Sequence, residues 1–410
     1  MLVRLGEKYC GEHALYKEGN EKRIPCPNDP KHTVDRRALE QHLQRCNSRI
    51  VEEQWIVKDL NAIVGETKFT AKIDRRPSEE EISNVIAKLQ SCYTSIKDQI
   101  SAKLAYTTEI DQHIEQSVDI SESRRKHLVQ QSSIIGHMES AGLLKNDPSS
   151  CLFELGAGKA QLVYWMTRRA PLSKFLLIDR SGARNKYDNK ALQENPMLNI
   201  KRLRCSIEHL NLAEVKMLKE VSSICAVCKH FCGSATDAGI RCLLNAMNSG
   251  LRLDGFVLVP CCHHKSRYDE YTGKEFLAYW NMDSETDFAA LRHVATWAVC
   301  GFANVRNSVS CLVEGHGSDH GVSSAGKEGS SESDRQTPAR DQHGLESNRF
   351  AESIPWSPTW KEEMGRRAKK VLEFGRSRHL AGLGFSTQVV EYVPASISPE
   401  NLLIIGVRNK

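Results

Sequence analysis

Two sets of residues in this chain have the types and spacing to do chemistry. The first is Cys26, His32, His42 and Cys46, spaced C-x5-H-x9-H-x3-C within RIPCPNDPKHTVDRRALEQHLQRCN. Two thiolates and two imidazoles complete a tetrahedral set for Zn²⁺ with no open position, so such a site is structural rather than catalytic. The second set is spread along the middle of the chain. It comprises Glu154, Gly156 and Gly158 in ELGAGK, Asp179 in LLIDRSG, Lys229, His230 and Asp237 in KHFCGSATD, and the run Cys261-Cys262-His263-His264-Lys265. Glycines after an acid let a backbone close up to a nucleotide, and a second acid about twenty residues on can take the two hydroxyls of a ribose.

The elements that must position these residues follow from the pattern. Cys151 to Asp179 reads as strand, glycine turn, helix and strand: Leu152, Phe153 and Leu155 make a buried run, and Ala160 to Arg168 continues as a helix. A dinucleotide fingerprint would place a third glycine at 161, where this chain has Gln161. The acid-x-Gly-x-Gly turn resembles that of class I S-adenosylmethionine methyltransferases. Another Rossmann-like nucleotide binder, an oxidoreductase among them, and an ordinary strand-turn-helix without ligand stay open at this point. A third strand is expected at about Lys201 to Cys205, and Ile207 and Glu208 just past it would flank an adenine by position.

A fourth strand, Ile224 to Phe231, brings Lys229, His230, Cys232, Gly233 and Asp237 to its carboxyl end, where ligands of parallel sheets sit. Cys225 and Cys228 are an odd number apart on it and project from opposite faces. The fifth strand, Gly255 to Pro260, ends in Cys261 to Lys265. Neighbouring side chains on extended backbone diverge, so this run reads as a polar rim facing substrate, with metal-binding or structural roles as alternatives. The aromatic and basic residues of YDEYTGKEFLAYW have the character to stack on RNA, or to fill a core. Thr387 to Val393 and Leu402 to Val407 read as a closing antiparallel pair.

Helices are expected where caps and periodicity agree. Ser78 and Glu81 form a capping box before Ile82, Val85, Ile86, Leu89 and Tyr93, and a second helical stretch runs from Leu104 to about Ile120. Arg124 to Leu144 precedes the first strand, with His127 and His137 read as surface or cap groups. Pro358 to His379 bears Lys361, Arg366, Arg367, Lys369, Lys370, Arg376 and Arg378, a strip that follows phosphates or is a solvated face. In the finger, Pro25, Pro27 and Pro30 imply a stiff, non-helical knuckle, and Asp35 caps a helix through Arg45 with Leu39 and Leu43 as a tiny core. A segment so small needs the metal to fold. Cys10 and His13 offer half of another site, to be completed by Cys92 or another distant ligand if at all.

The domain plan is therefore a partial CCCH-type finger at 1–22, a CHHC finger at 23–50, a helical connector at 51–123, and a catalytic domain at 124–410 with a disordered Gly/Ser-rich insertion at 307–350. The fold class is α/β, a Rossmann-like methyltransferase sheet with a small zinc finger before it. A net charge of +5 means that nucleic acid would be held by local patches. Fourteen cysteines without an apolar leader point to a reducing compartment, and no apolar run approaches the length of a membrane span.

The finger resembles the CHHC fingers of RNA-associated eukaryotic proteins, among them a component of the minor spliceosome. The order of CHHC finger, ELGAGK, LLIDRSGARNKYD, KHFCGSATD, CCHHKSRYDEYTG and ATWAVCG, then GRRAKKVLEFGR and YVPASISPENLL, resembles the eukaryotic tRNA ribose 2'-O-methyltransferases that modify nucleotide 4 of the acceptor stem. The resemblance implies S-adenosylmethionine as methyl donor, Zn²⁺ in the finger, and the acceptor stem of tRNAs for glycine, proline or histidine as partner. It also implies an intracellular, nuclear or cytoplasmic protein. Two departures are the missing start of a first finger before Cys10, and Ala160 where a third glycine is common. On this reading Glu154, Gly156, Gly158, Asp179, Ile207 and Glu208 hold the donor. Lys229 and His230 are the candidate bases for the weakly acidic ribose hydroxyl, with Asp237 orienting them, and His263, His264, Lys265, Arg366 and Arg367 meet the RNA. A non-catalytic RNA-binding adaptor on a degenerate fold is the alternative.

Overall fold

The computed structural model of the chain describes residues 22–46, 53–63, 76–180, 186–299 and 356–409. Cys10 and His13, the 181–185 loop and the insertion expected at 307–350 lie outside the described residues. The finger is a hairpin of β1 (Arg23–Cys26) and β2 (Asp29–Asp35) followed by a 3-10 turn and α1 (Leu39–Arg45). The expected proline knuckle is thus a two-stranded hairpin, in which every strand is an edge and a missing N–H is tolerated. Asp35 caps as expected, accepting from the Arg37 amide at 3.0 Å, but the turn it starts is the 3-10 turn Arg36–Ala38 that leads into α1.

The helices expected in the connector pack on the body. Ser78 and Glu81 close the capping box of α2 (Glu79–Ile96), which buries Ile82, Val85, Ile86 and Leu89. The next residues form β3 (Ile100–Ala102), which adds a parallel strand at the sheet edge, and α3 (Thr108–Gln116), which packs on α4 (Glu122–Ser140). Cys92 is fully buried on the apolar face of α2 and burial pushes its thiol up to about 12, so it is a core residue and not a distant zinc ligand.

The rest of the body alternates strand and helix: β4 (Ser150–Leu155), α5 (Gln161–Arg169), β5 (Lys174–Asp179), α6 (Tyr187–Glu194), β6 (Asn199–Arg204), the short α7 (Lys216–Lys219), β7 (Ser223–Cys232), α8 (Ser234–Asn248), β8 (Gly255–Cys261), α9 (Lys274–Tyr279), α10 (Glu285–Thr296), α11 (Pro358–Gly382), β9 (Phe385–Glu391) and β10 (Leu402–Arg408). The strands form one sheet in the order β3-β9-β10-β8-β7-β4-β5-β6. β6, β5, β4, β7 and β8 are parallel, and β10 runs antiparallel between β8 and β9. The order reverses direction at β4, so the cleft of an open α/β sheet falls at the carboxyl ends of β4 and β7.

β4 is buried along its whole length, which is why it reads as a continuous apolar run rather than an alternating one. Alternation along it sends Leu152 to the core face under α4 and α5 and Phe153 to the face under α8. Cys225 and Cys228 divide between the same two cores, as their odd spacing requires. A third core joins α2, α10 and α11. Among the described residues no helix is long and apolar enough to cross a membrane.

Candidate active site and metal centre

Hairpin and helix bring the four finger residues together. Cys26 Sγ lies 3.6 Å from Cys46 Sγ and 3.1 Å from His42 Nε2, and His32 Nε2 lies 3.2 Å from His42 Nε2 and 3.6 Å from Cys46 Sγ. Zinc bonds of about 2.0–2.3 Å span tetrahedral edges of about 3.3–3.8 Å, so the donor set fits the ion closely. Both thiols are buried, yet α1 buries no residue, so the apolar contribution is small and the metal must hold the module. Cys46→Ser should therefore release one zinc per chain, read by elemental analysis. The finger amides should lose protection from hydrogen exchange while the sheet amides keep theirs.

The glycine turn is tied to the neighbouring strand. The Gly156 and Ala157 amides donate to the Ile178 carbonyl at 2.9 and 3.0 Å, and the Gly158 amide donates to Asp179 Oδ2 at 2.7 Å. Gly156 and Gly158 hold φ of +71° and +48°, and a Cβ at Gly158 would meet nothing within 4 Å, leaving open space for a ligand. Ala160 holds φ +60°, where a glycine would avoid a penalty of about 1–2 kcal/mol. Arg202 on β6, which sequence reasoning missed, braces the turn by donating to the Gly158 carbonyl at 3.2 Å and pairing with Asp188 at 2.8 Å. Glu154 is buried, and burial pushes its carboxyl up to about 8 against the opposing pull of Arg202 and Lys229.

Past β6, Ile207 is buried in the core, so of the pair expected to flank an adenine Glu208 is the one with a half-buried side chain at the surface. The loop that carries them is pinned by residues 53–63. Asn61 Nδ2 donates to the Ile207 and Leu210 carbonyls, each at 2.7 Å, and its amide donates to the Glu208 carbonyl at 2.9 Å. Asn61 has no local motif, and its partners lie far along the chain.

Lys229 ends the regular part of β7, on the face shared by Val227 and α4. Its Nζ lies 3.3 Å from Nδ1 of His127, which sequence reasoning placed at the surface. Burial lowers the Lys229 pKa to about 8, with Glu154 and Cys261 pulling the other way. Burial and then the Lys229 charge lower the His127 pKa. The register with β8 shifts between Lys229 and Phe231, a bulge that places His230 at the irregular point of the strand. His137, expected at the surface or as a cap, is instead buried in α4 and donates from Nε2 to the Lys103 carbonyl at 2.9 Å.

Asp237, expected to orient Lys229 or His230, is engaged elsewhere. It is fully buried in the first turn of α8, accepts from the Thr272 amide and hydroxyl, and pairs with Arg376 through Oδ2 and Nη2 at 2.7 Å. Arg376, expected on a phosphate-following strip, is also buried; its other arm holds Glu373 at 2.6 Å. Glu373 Oε1 lies 2.8 Å from His263 Nε2, and His263 Nδ1 lies 3.4 Å from Glu400, which pairs with Lys369 at 2.8 Å. His263, expected to meet RNA, is thus an internal member of a chain of alternating charge. That chain locks the segment after β8 to α8, α11 and the loop before β10.

The profile of the family described as Methyltransferase TRM13 matches residues 129–407. The chain belongs to this methyltransferase family. A CHHC zinc-finger profile, described as U11-48K-like, matches residues 23–47. Relatives named tRNA:m(4)X modification enzyme TRM13 homolog include a mouse protein, 28% identical over 99% of this chain and 91% of its own, and a human one, 27% identical over 100% and 92%. A Scheffersomyces stipitis relative named tRNA:m(4)X modification enzyme TRM13 is 30% identical over 76% of this chain and 82% of its own. Among solved structures, coclaurine N-methyltransferase bound to N-methylheliamine and SAH covers 82% of this chain and 89% of its own at 13% identity and TM-score 0.30, too distant to bear on the site.

In this TRM13-family chain the charge network fixes a pH dependence. Burial alone would lower the His263 pKa, but Glu373 and Glu400 outweigh it and raise it above the ordinary 6.5. Its stabilising contribution is full below 6.5 and is lost as pH rises through the raised value. Glu400, burial notwithstanding, is held by His263 and Lys369 at about 2 against an ordinary 4.5, so its contribution is lost as pH falls from 4.5 towards 2. The network's contribution to the melting temperature should therefore decline on both sides of pH 4.5–6.5, and His263→Gln should flatten its alkaline limb.

The remaining candidate RNA contacts separate by exposure. His264 and Lys265 are exposed beside the cleft. Arg366 and Arg367 pair with Glu362 and Glu363 one turn back, Lys370 pairs with Glu391 and Lys369 is buried, so the strip is largely neutralised by acids. Arg378 stays exposed and lines, with Phe276, Tyr279, Trp280 and His379, a cavity of about 660 Å³. Of the aromatics expected to stack or fill a core, Tyr271 is buried and Tyr279 is 79% exposed.

Proposed function

We propose that the chain transfers a methyl group from S-adenosylmethionine to the ribose 2'-hydroxyl of nucleotide 4 in the acceptor stem of tRNAs of the glycine, proline and histidine type. The observation that carries this reading is Lys229. It is a lysine with its pKa lowered to about 8, beside a buried acid and a histidine, one strand away from a glycine turn that leaves room for a ligand. The relatives' name, tRNA:m(4)X modification enzyme, supports tRNA as substrate. Action on tRNA would place the protein in the nucleus or cytoplasm.

In the cleft, Gly156 and Gly158 would admit the donor's amino-acid part, Asp179 its ribose hydroxyls and Glu208 its base edge. S-adenosylmethionine supplies an electrophilic methyl group. A ribose hydroxyl is a feeble nucleophile at neutral pH, so a base must take its proton as the oxygen attacks in line. Neutral Lys229 takes that proton, and the resulting ammonium donates to His127 Nδ1, 3.3 Å away. His230 is the second candidate base by its place in β7. Lys265 and Arg378 are exposed cations that would hold the phosphates, and His264, its pKa lowered by burial and then Lys265, would meet the RNA as a neutral imidazole. Incubating the purified protein with unmodified tRNA and donor, then digesting and mass-mapping the nucleosides, tests the reading: one 2'-O-methylnucleoside from the fourth position is expected, and a base-methylated nucleoside would refute it.

A further inference from the structure

A second group of soft ligands lies where β7 and β8 end. The thiols of Cys232, Cys261 and Cys262 all fall within 4.8 Å of one another, and Cys232 and Cys261 Sγ are 3.1 Å apart. The sequence argued against such a cluster because neighbours on extended backbone diverge. The backbone at Cys262 is not extended. It holds φ +51° and ψ +48°, a left-handed conformation that costs a non-glycine residue about 1–2 kcal/mol and swings its thiol back towards that of Cys261.

The opposite side of the cluster is built as deliberately. Gly233 holds φ +54°, and a Cβ there would lie 2.5 Å from Lys265 Cβ and 2.7 Å from the Lys265 carbonyl carbon. No larger residue lets the β7–α8 turn come this close to the segment after β8. Two hydrogen bonds hold the approach: the Gly233 amide donates to the Cys261 carbonyl at 2.9 Å, and Ser234 Oγ donates to the Lys265 carbonyl at 3.2 Å. His263, clamped between Glu373 and Glu400, keeps the segment from turning away. Strain held at one cysteine and a close approach beside another converge on three sulfurs.

We propose that Cys232, Cys261 and Cys262 form a second metal site, taking a thiophilic ion of the zinc class on three thiolates. Zinc–sulfur bonds of about 2.3 Å set the sulfurs about 3.8 Å apart, a change of about 1 Å or less from their present separations. Unlike the closed finger, this set leaves a fourth position open, and Cys232 is exposed, so an ion has an entry path from the cleft.

The test is zinc content of the full chain purified under reducing conditions. Cys232→Ser, a change at an exposed position, should lose one zinc per chain, as should Cys46→Ser in the finger, and the double variant should lose two. A melting temperature matched to the parent shows that the Cys232→Ser loss is not unfolding. In the Cys46→Ser background, Co²⁺ titration should give thiolate charge-transfer absorption that disappears with Cys261→Ser. Unchanged zinc in Cys232→Ser would overturn the proposal. So would a Cys232–Cys261 disulfide in non-reducing peptide maps of protein carrying the finger zinc alone, which would make the cluster a redox pair.

Discussion

Replacing Lys229 with alanine should lower methyl transfer to tRNA by about 10²–10⁴-fold, the range for loss of a positioned general base. Donor affinity, measured by calorimetry, should stay within about threefold, because a base at Lys229 would act on the proton of the acceptor and not on the donor. Lys229→Arg should not rescue it, since a guanidinium stays charged at every working pH. The sign of the pH dependence follows: the neutral amine is the active form, so the parent rate should rise with pH through about 8 and then level off. Glu154 titrates in the same range, so the profile belongs to the pair and needs a control. Glu154→Gln removes the negative charge that supports the ammonium, and it should move the midpoint to lower pH. Near-normal turnover in Lys229→Ala would pass the role to His230 or His127.

The largest loss of stability is expected at the other end of the same cleft wall. Arg376→Ala leaves Asp237 and Glu373 buried without their shared counter-ion, and should cost about 3–5 kcal/mol in urea denaturation. Asp237→Ala should cost a similar amount. The double variant should cost clearly less than the sum of the two, because each single change strands a charge that the double change removes. This separates the structural reading of Asp237 from the catalytic one. A catalytic Asp237 would show an unchanged urea midpoint with collapsed turnover, whereas a lock between α8, α11 and the loop at Thr272 shows the reverse order of effects.

The sequence disclosed what is local. The run of apolar residues in β4, the glycine turn, the Ser78–Glu81 capping box and the C-x5-H-x9-H-x3-C spacing each carry their own physical reason within a short window, and each appears in the fold. What it could not disclose is pairing over distance. Asp237 and Arg376 look like a surface acid and a surface base until α8 and α11 bring them together across 139 positions. His263 looks like a rim residue until two glutamates from other segments close on it. His127 and Lys229 are 102 positions apart, and no periodicity in α4 marks His127 as more than a helix residue. The argument that the thiols of Cys261 and Cys262 must diverge failed for a different reason. It assumed extended backbone at a residue that adopts a left-handed one, and in a non-glycine residue no sequence rule foretells that choice.

The proposed methylation of a ribose oxygen at nucleotide 4 of tRNA can be tested on the acceptor itself. Two synthetic tRNAs identical except for a 2'-deoxyribose at nucleotide 4 would be incubated with the purified protein and methyl-labelled S-adenosylmethionine. Label should enter the ribose-containing tRNA and be absent from its deoxy counterpart. Equal labelling of both would place the methyl group on a base or on another nucleotide and contradict the account.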